Sequence, residues 1–210
     1  MIVKICGVRT LDDALAALDA GADMLGFNFH PPSPRYIAPA ACAQLVARLH
    51  RRGAAATLVG VFVNLPPARA AAILDECGLD LAQLHGDEPP ADLAALAGRA
   101  FKAVRPRDLA EARALAAAYS PPAPAAPALL VDAAASGAYG GSGQIANWDL
   151  AAALAEETRL LLAGGLRPDN VAAAIAAVRP WGVDVASGVE SAPGVKDPAK
   201  MVEFIARAKG

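Results

Sequence analysis

Cys6 and Asp132 are the residues whose types and settings best suit proton transfer. Cys6 closes the run Lys4-Ile5-Cys6 and is followed by Gly7, which puts a thiol beside a flexible backbone position at the end of an aliphatic stretch. An unperturbed thiol titrates at about 8.5, close enough to neutrality to act as a base, and a neighbouring cation would lower that value. The competing reading is a small buried apolar side chain. Asp132 directly follows Leu129-Leu130-Val131, so its carboxyl emerges where a buried run ends. Partial burial disfavours a carboxylate and would let Asp132 carry a proton for donation, whereas a loop or helix cap is the plainer role. Arg35 lies in His30-Pro31-Pro32-Ser33-Pro34-Arg35-Tyr36, where prolines stiffen a loop around one guanidinium. Such a fork suits a planar carboxylate, either of a ligand or of an acid in a salt bridge. His85, in Gln83-Leu84-His85-Gly86, either touches a substrate or satisfies a loop backbone. His50, followed by Arg51-Arg52, reads as a solvated helix end.

These side chains need a frame. Short β-branched or aliphatic runs occur at Ile2-Cys6, Met24-Phe29, Thr57-Val63, Leu81-Leu84, Phe101-Val104, Leu129-Val131, Leu160-Ala163 and Val183-Val185. Helical stretches rich in Ala and Leu separate them, as in Leu11-Ala20, Pro39-His50 and Leu109-Tyr119. Capping chemistry marks helix starts at Thr10, at Asn64 before Pro66, at Asp108 with Glu111 three residues on, and at Asp197 before Pro198. A long open sheet is the alternative, but the even succession favours closure into a (β/α)8 TIM barrel, as one domain over residues 1–210. The segment from Ser120 to Pro127 is proline-rich and reads as a surface connection.

In such barrels the loops after the strands enclose the site. Gly164-Gly165 follows the seventh strand and Ser187-Gly188 the eighth, where backbone N–H groups and a short helix commonly hold a phosphate. Ser136 to Gly143 is glycine-rich, could cover the site, and could bring backbone N–H groups such as that of Gly143 to phosphate oxygens. Its spacing matches neither GxxxxGK[ST] nor GxGxxG, which excludes those nucleotide signatures.

With 19 Lys and Arg against 21 Asp and Glu in 210 residues, the net charge of −2 makes nucleic acid and anionic membranes poor partners. No apolar run is long enough to span a bilayer and no signal peptide is evident, so a soluble cytoplasmic protein is expected. Cys6, Cys42 and Cys77 form neither a disulfide framework nor a CxxC site, and Cys42 and Cys77 read as helix core fillers. No His, Cys and carboxylate grouping has metal-ligand spacing.

The motifs Lys4-Ile5-Cys6-Gly7, Ser33-Pro34-Arg35-Tyr36, Gln83-Leu84-His85-Gly86, Val131-Asp132-Ala133, Gly140-Gly141-Ser142-Gly143, Leu162-Ala163-Gly164-Gly165 and Asp184-Val185 through Glu190 occur in an order that resembles the phosphoribosylanthranilate isomerase family over essentially the whole chain. The resemblance implies an Amadori rearrangement without cofactor, from an aminoaldose phosphate to an aminoketose phosphate. It implies Asp132 as general acid, Cys6 as thiolate base, Arg35 on the anthranilate carboxylate, and Asp184 near the anthranilate amine. His85 is a further substrate contact, and Gly143, Gly164, Gly165, Ser187 and Gly188 are phosphate contacts. The expected partner is a small phosphosugar, bound by a monomer or homodimer. Two positions depart from the pattern: Ala186 stands where Ser is common, and Gln144 where Lys is frequent. Indole-glycerol-phosphate synthase and a histidine-pathway sugar isomerase share the phosphate turns, but the resemblance leads one to expect a lysine network or a strand-one aspartate there, not Cys6. A non-catalytic phosphosugar-binding barrel and a thiol redox protein remain as alternatives.

Overall fold

The computed structural model describes residues 1–119, 126–132 and 148–210. Eight strands, β1 (Ile2–Cys6), β2 (Met24–Asn28), β3 (Thr57–Phe62), β4 (Leu81–Leu84), β5 (Ala100–Val104), β6 (Leu129–Val131), β7 (Leu160–Leu162) and β8 (Gly182–Val185), close into a barrel in sequence order. Every neighbouring pair is parallel, and β1 meets β8 with Lys4 opposite Asp184. The crossovers carry α1 (Leu11–Asp19), α2 (Pro39–Arg51), α3 (Pro67–Cys77), α4 (Pro90–Ala95), α5 (Leu109–Ala118), α6 (Trp148–Ala155) and α7 (Val171–Val178), and α8 (Pro198–Lys209) ends the chain.

The two faces of each strand do different work because side chains alternate along it. Outward residues such as Val3, Ile5, Leu25, Phe27 and Val183 are buried with helix residues in one apolar layer. Each such side chain stabilises the fold by about 1.5–3 kcal/mol. Inward residues Met24, Val59, Phe101, Leu130 and Leu161 plug the barrel interior, with Ile2, Leu81 and Trp181 packed against them. Above that plug the same alternation brings polar groups inward: Lys4 and Cys6 share a face on β1, Gln83 and His85 on and just after β4, and Asp132 follows Leu130 on the inner face.

Side-chain caps fix where three of the helices begin. The Thr10 hydroxyl accepts from the Asp13 N–H at 3.1 Å, Asp108 from Glu111 at 2.8 Å, and Asp197 from Ala199 and Lys200 at 3.0 and 3.2 Å. Asn64 differs from its expected role as a cap. Helix α3 starts after Pro66 without a side-chain cap, and Asn64 instead adopts a left-handed φ of 53°. Its Oδ1 accepts from the Asp87 N–H and its own N–H donates to Glu88, both at 2.7 Å, so it ties the loop after β3 to the loop after β4. After β8 a 3-10 turn, Ser187–Val189, leads into an antiparallel hairpin of β9 (Glu190–Ala192) and β10 (Val195–Lys196). This hairpin, unforeseen from the sequence, returns Glu190 and Lys196 to the barrel mouth.

Candidate active site

Cys6 and Asp132 line one cavity at the C-terminal ends of the strands, about 710 Å³ including the space open at its mouth. Arg35, His85, Gly164, Gly165, Asp184 and Ser187 line it too. Gly188 lies behind the lining, where a Cβ would collide with the carbonyl of Leu166, so its lack of a side chain lets the turns after β7 and β8 touch. Gly143 and Gln144 lie outside the described residues. Ala186 lines the cavity, and its carbonyl accepts from Lys196 at 2.8 Å.

On the base side, the Lys4 ammonium donates to Asp184 Oδ1 at 2.7 Å and to Gln83 Oε1 at 2.8 Å, wholly inside the barrel. Burial works against that charge, but Asp184 and then Cys6 outweigh it and the Lys4 pKa is raised. Burial pushes the Cys6 thiol up, and the Lys4 ammonium only partly offsets this. Room for the pair comes from Gly26 on β2, where a Cβ would lie 2.8 Å from Cys6 Sγ and 3.2 Å from Lys4 Nζ.

On the acid side, Asp132 Oδ2 faces His85 Nε2 at 3.1 Å and the Arg105 guanidinium at 3.8 Å. His85 Nδ1 faces Gln83 Nε2 at 2.7 Å. Behind this wall, Lys102 on the outer face of β5 donates to the carbonyl of Gly86 at 2.6 Å and to Glu88 at 2.7 Å. The loop that presents His85 is thereby fixed from outside the barrel.

Arg35 is held in place twice over. Its N–H donates to the Ser33 hydroxyl, which in turn accepts from Asn28, while Gly7, at a φ of 79°, leaves room for its side chain. Its Nε and one terminal nitrogen both donate to Glu190 at 2.8 Å, and its other terminal nitrogen makes no part of that fork. Arg35 therefore both lines the cavity and forms a salt bridge, with a buried acid of the hairpin rather than a surface one. Glu190 also accepts from Lys196 at 3.0 Å. Burial works against the Glu190 carboxylate, but Arg35 and Lys196 outweigh it and hold its pKa below the ordinary value.

The turn after β7 is shaped for close backbone approach: Gly164 and Gly165 have φ of 90° and 69°, a region unfavourable to residues with a Cβ. Asn170 braces it, donating to the Gly165 carbonyl at 3.1 Å and accepting from the Arg167 N–H at 2.8 Å. Across from it, the N–H groups that open the Ser187–Val189 turn have no partner within that turn. Among the described residues no group of three or more His, Cys, Asp or Glu side chains could hold a metal ion, and no helix is long and apolar enough to cross a membrane.

A family model of N-(5′-phosphoribosyl)anthranilate (PRA) isomerase matches residues 3–207. The chain belongs to the phosphoribosylanthranilate isomerase family. It is 52% identical to N-(5′-phosphoribosyl)anthranilate isomerase of Roseiflexus castenholzii, covering 100% of this chain and 98% of that one. The barrel matches the crystal structure of phosphoribosyl anthranilate isomerase from Thermotoga maritima with a TM-score of 0.87 at 36% identity, over 100% of both chains. A phosphoribosyl anthranilate isomerase crystallised with reduced 1-(o-carboxyphenylamino)-1-deoxyribulose 5-phosphate matches with a TM-score of 0.84 at 36% identity, again over 100% of both chains. These matches do not favour the synthase or the histidine-pathway isomerase.

Within this family frame, sequence alone marks Cys6, Arg35, His85, Asp132 and Asp184 at the cavity, but not Gln83, which also lines it, nor the residues that support them. Lys4, Gln83, Arg105, Glu190 and Lys196 were not recognised as parts of the site. Period two was the available signal for Lys4, Gln83 and Arg105, each two residues along its strand or strand extension from a residue facing the interior. Glu190 and Lys196 depend on the hairpin fold and had no such signal.

Proposed function

We propose that Asp132 and Cys6 perform, as general acid and general base, the isomerisation of N-(5-phosphoribosyl)anthranilate that names the family and serves tryptophan biosynthesis. The observation that carries this reading is that both residues, from β1 and from the end of β6, line the same cavity. The phosphate meets the backbone N–H groups of Gly164, Gly165, Ser187 and Gly188; Gly143, expected as a further phosphate contact, lies outside the described residues. The anthranilate carboxylate meets the terminal nitrogen of Arg35 that Glu190 does not engage. Asp184 meets the anthranilate amine, and His85 contacts the sugar beside Asp132.

The protonated carboxyl of Asp132 gives its proton to the ribose ring oxygen. The anthranilate nitrogen pushes its electron pair toward C1′, the C1′–oxygen bond breaks, and an iminium ion forms. The Cys6 thiolate then removes the C2′ proton, which the iminium has made acidic, and the enolamine tautomerises to the ketone. Every step moves only protons and an electron pair within substrate and side chains. The catalytic domain spans residues 1–210, works in the cytoplasm, and does so as a monomer or homodimer.

Loss of anthranilate substrate fluorescence tests the reading. The expected outcome is turnover by the native chain without metal or added cofactor, and a fall of at least about 10²-fold for Cys6→Ser and for Asp132→Asn, the lower end of a general acid or base contribution. Undiminished turnover in a variant carrying both changes would overturn it.

A further inference from the structure

An unbroken chain of side-chain hydrogen bonds runs through the barrel interior from Lys4, the cation beside Cys6, to the acid Asp132, and its polarity is fixed at one end. Lys4 Nζ lies 2.8 Å from Gln83 Oε1, Gln83 Nε2 lies 2.7 Å from His85 Nδ1, and His85 Nε2 lies 3.1 Å from Asp132 Oδ2. An ammonium group only donates, so the Gln83 atom facing Lys4 must be its carbonyl oxygen. Its amide nitrogen then faces His85 and donates, which makes Nδ1 an acceptor and puts the ring proton on Nε2. That proton points at Asp132. Turning the amide over would set its NH2 against the ammonium, donor against donor, in a wholly buried position. Lys4 itself is anchored by Asp184 on its other side at 2.7 Å, so it does not follow the amide if Gln83 turns.

We infer that Gln83, oriented by Lys4, is a positioning residue for the general acid: it sets the His85 tautomer that donates to Asp132. The inference rests on the acid role proposed for Asp132 and deepens it. With Nε2–H donating to Oδ2, the carboxyl proton of Asp132 is carried on Oδ1 and is not shared with the imidazole. In the opposite tautomer the bare Nε2 would accept that proton and hold it away from the ribose ring oxygen. Gln83 thus decides whether the acid's proton is directed to the substrate or to a neighbour, although Gln83 transfers no proton itself.

Ring 15N spectra of the full chain, labelled at its three histidines, test this, with the His85 signals assigned by their loss in His85→Asn. The expected result is a protonated Nε2 and an unprotonated Nδ1 at His85. In Gln83→Glu the carboxylate keeps Lys4 as a partner but accepts from Nδ1–H, so Nδ1 becomes protonated and kcat falls by about 10-fold or more, with KM within about 3-fold. Gln83→Met, which fills the space without hydrogen bonds, gives a mixture of tautomers and an intermediate kcat. A native His85 protonated at Nδ1 would overturn the inference, as would Gln83→Glu with native kcat despite the reversed tautomer. If the native tautomer is as expected while Asp132→Asn turns over normally, the acid role fails and the tautomer assignment stands.

Discussion

Lys4 and Lys102 are both buried ammonium groups on strands of one barrel, yet their surroundings push them in opposite directions. Lys4 points into the interior between Asp184 and Cys6, and these two partners, Asp184 first, outweigh the cost of burial and raise its pKa. Lys102 points outward beneath the loop after β4. Burial lowers its pKa, Glu88 offsets only part of that, and Arg105 adds to the lowering. Its remaining partners are the carbonyls of Leu84 and Gly86, with the Tyr119 ring 5.9 Å away. The face of the strand thus separates a lysine held among reacting groups on β1 from a lysine on β5 that holds a loop. Partner charge, and not depth, tells them apart.

Lys4→Met gives the largest effect if this distinction is right. The substitution removes the cation beside the Cys6 thiol and the anchor of Gln83 together, so kcat/KM falls by about 10²–10⁴-fold. The sign of the pH effect follows from Cys6. Lys4 favours the thiolate, so without it the base limb of the kcat/KM profile, on which activity rises as the thiol deprotonates, moves to higher pH. An unchanged base limb would assign Lys4 to structure alone and erase the contrast with Lys102.

Lys102→Met is the reciprocal test. It leaves the Glu88 carboxylate buried against Gly86 and Asn64 without its cation, a loss of about 3–5 kcal/mol. For a chain of this size that lowers Tm by about 10 °C, read by thermal unfolding. Below the transition, kcat stays within about 3-fold of native, because Lys102 touches no group that lines the cavity apart from the backbone that carries His85. A loss of kcat as large as that of Lys4→Met, with Tm intact, would break the comparison from the other side.

The contrast also marks how far the sequence was legible. Alternation of apolar runs with capped helices is a local signal, repeated eight times, and the observed strands match the expected ones within a residue or two at their ends. Closure is seen in the pairing of β1 with β8, which leaves neither outer edge of the eight-stranded sheet free. Cys6, Asp132 and the Gly164-Gly165 turn are legible because each stands at the end of a strand, and Arg35 because prolines stiffen the loop that carries it. Whether Arg35 would bind a ligand or an acid was not visible, since Glu190 lies far along the chain and reaches Arg35 only through the hairpin of β9 and β10. Asn64 misled for a similar reason. Its cap signature is local, while the buried Glu88 that recruits its backbone belongs to the next βα unit. Lys4 and Lys102 look alike in sequence, each a charge inside an apolar run, and only strand phase assigns one to the interior and the other to the outer face.

A third buried lysine sharpens the comparison by falling between the two. Lys196 donates to the Ala186 carbonyl and to Glu190, and its charge also reaches Cys6. Burial lowers its pKa, and Glu190 and Cys6 only partly offset this. Lys196→Met therefore shares one consequence with each of the others, in smaller measure. Glu190 keeps its two bonds from Arg35, so it is not left as an unpaired buried charge, and Tm falls by less than in Lys102→Met. The pH dependence of that stability has a definite sign. Glu190 is held below its unfolded pKa by Arg35 and Lys196, so the stabilisation is present above the ordinary carboxylate range and is lost as pH falls through the lowered folded value. Removing Lys196 raises that folded value, and the acid side of the Tm profile moves to higher pH. The base limb of kcat/KM also moves upward, but less than in Lys4→Met, because Lys196 is the weaker of the two cations acting on Cys6. A shift equal to that of Lys4→Met would show that summed charge around the thiol, and not the direct Lys4 contact, tunes the base.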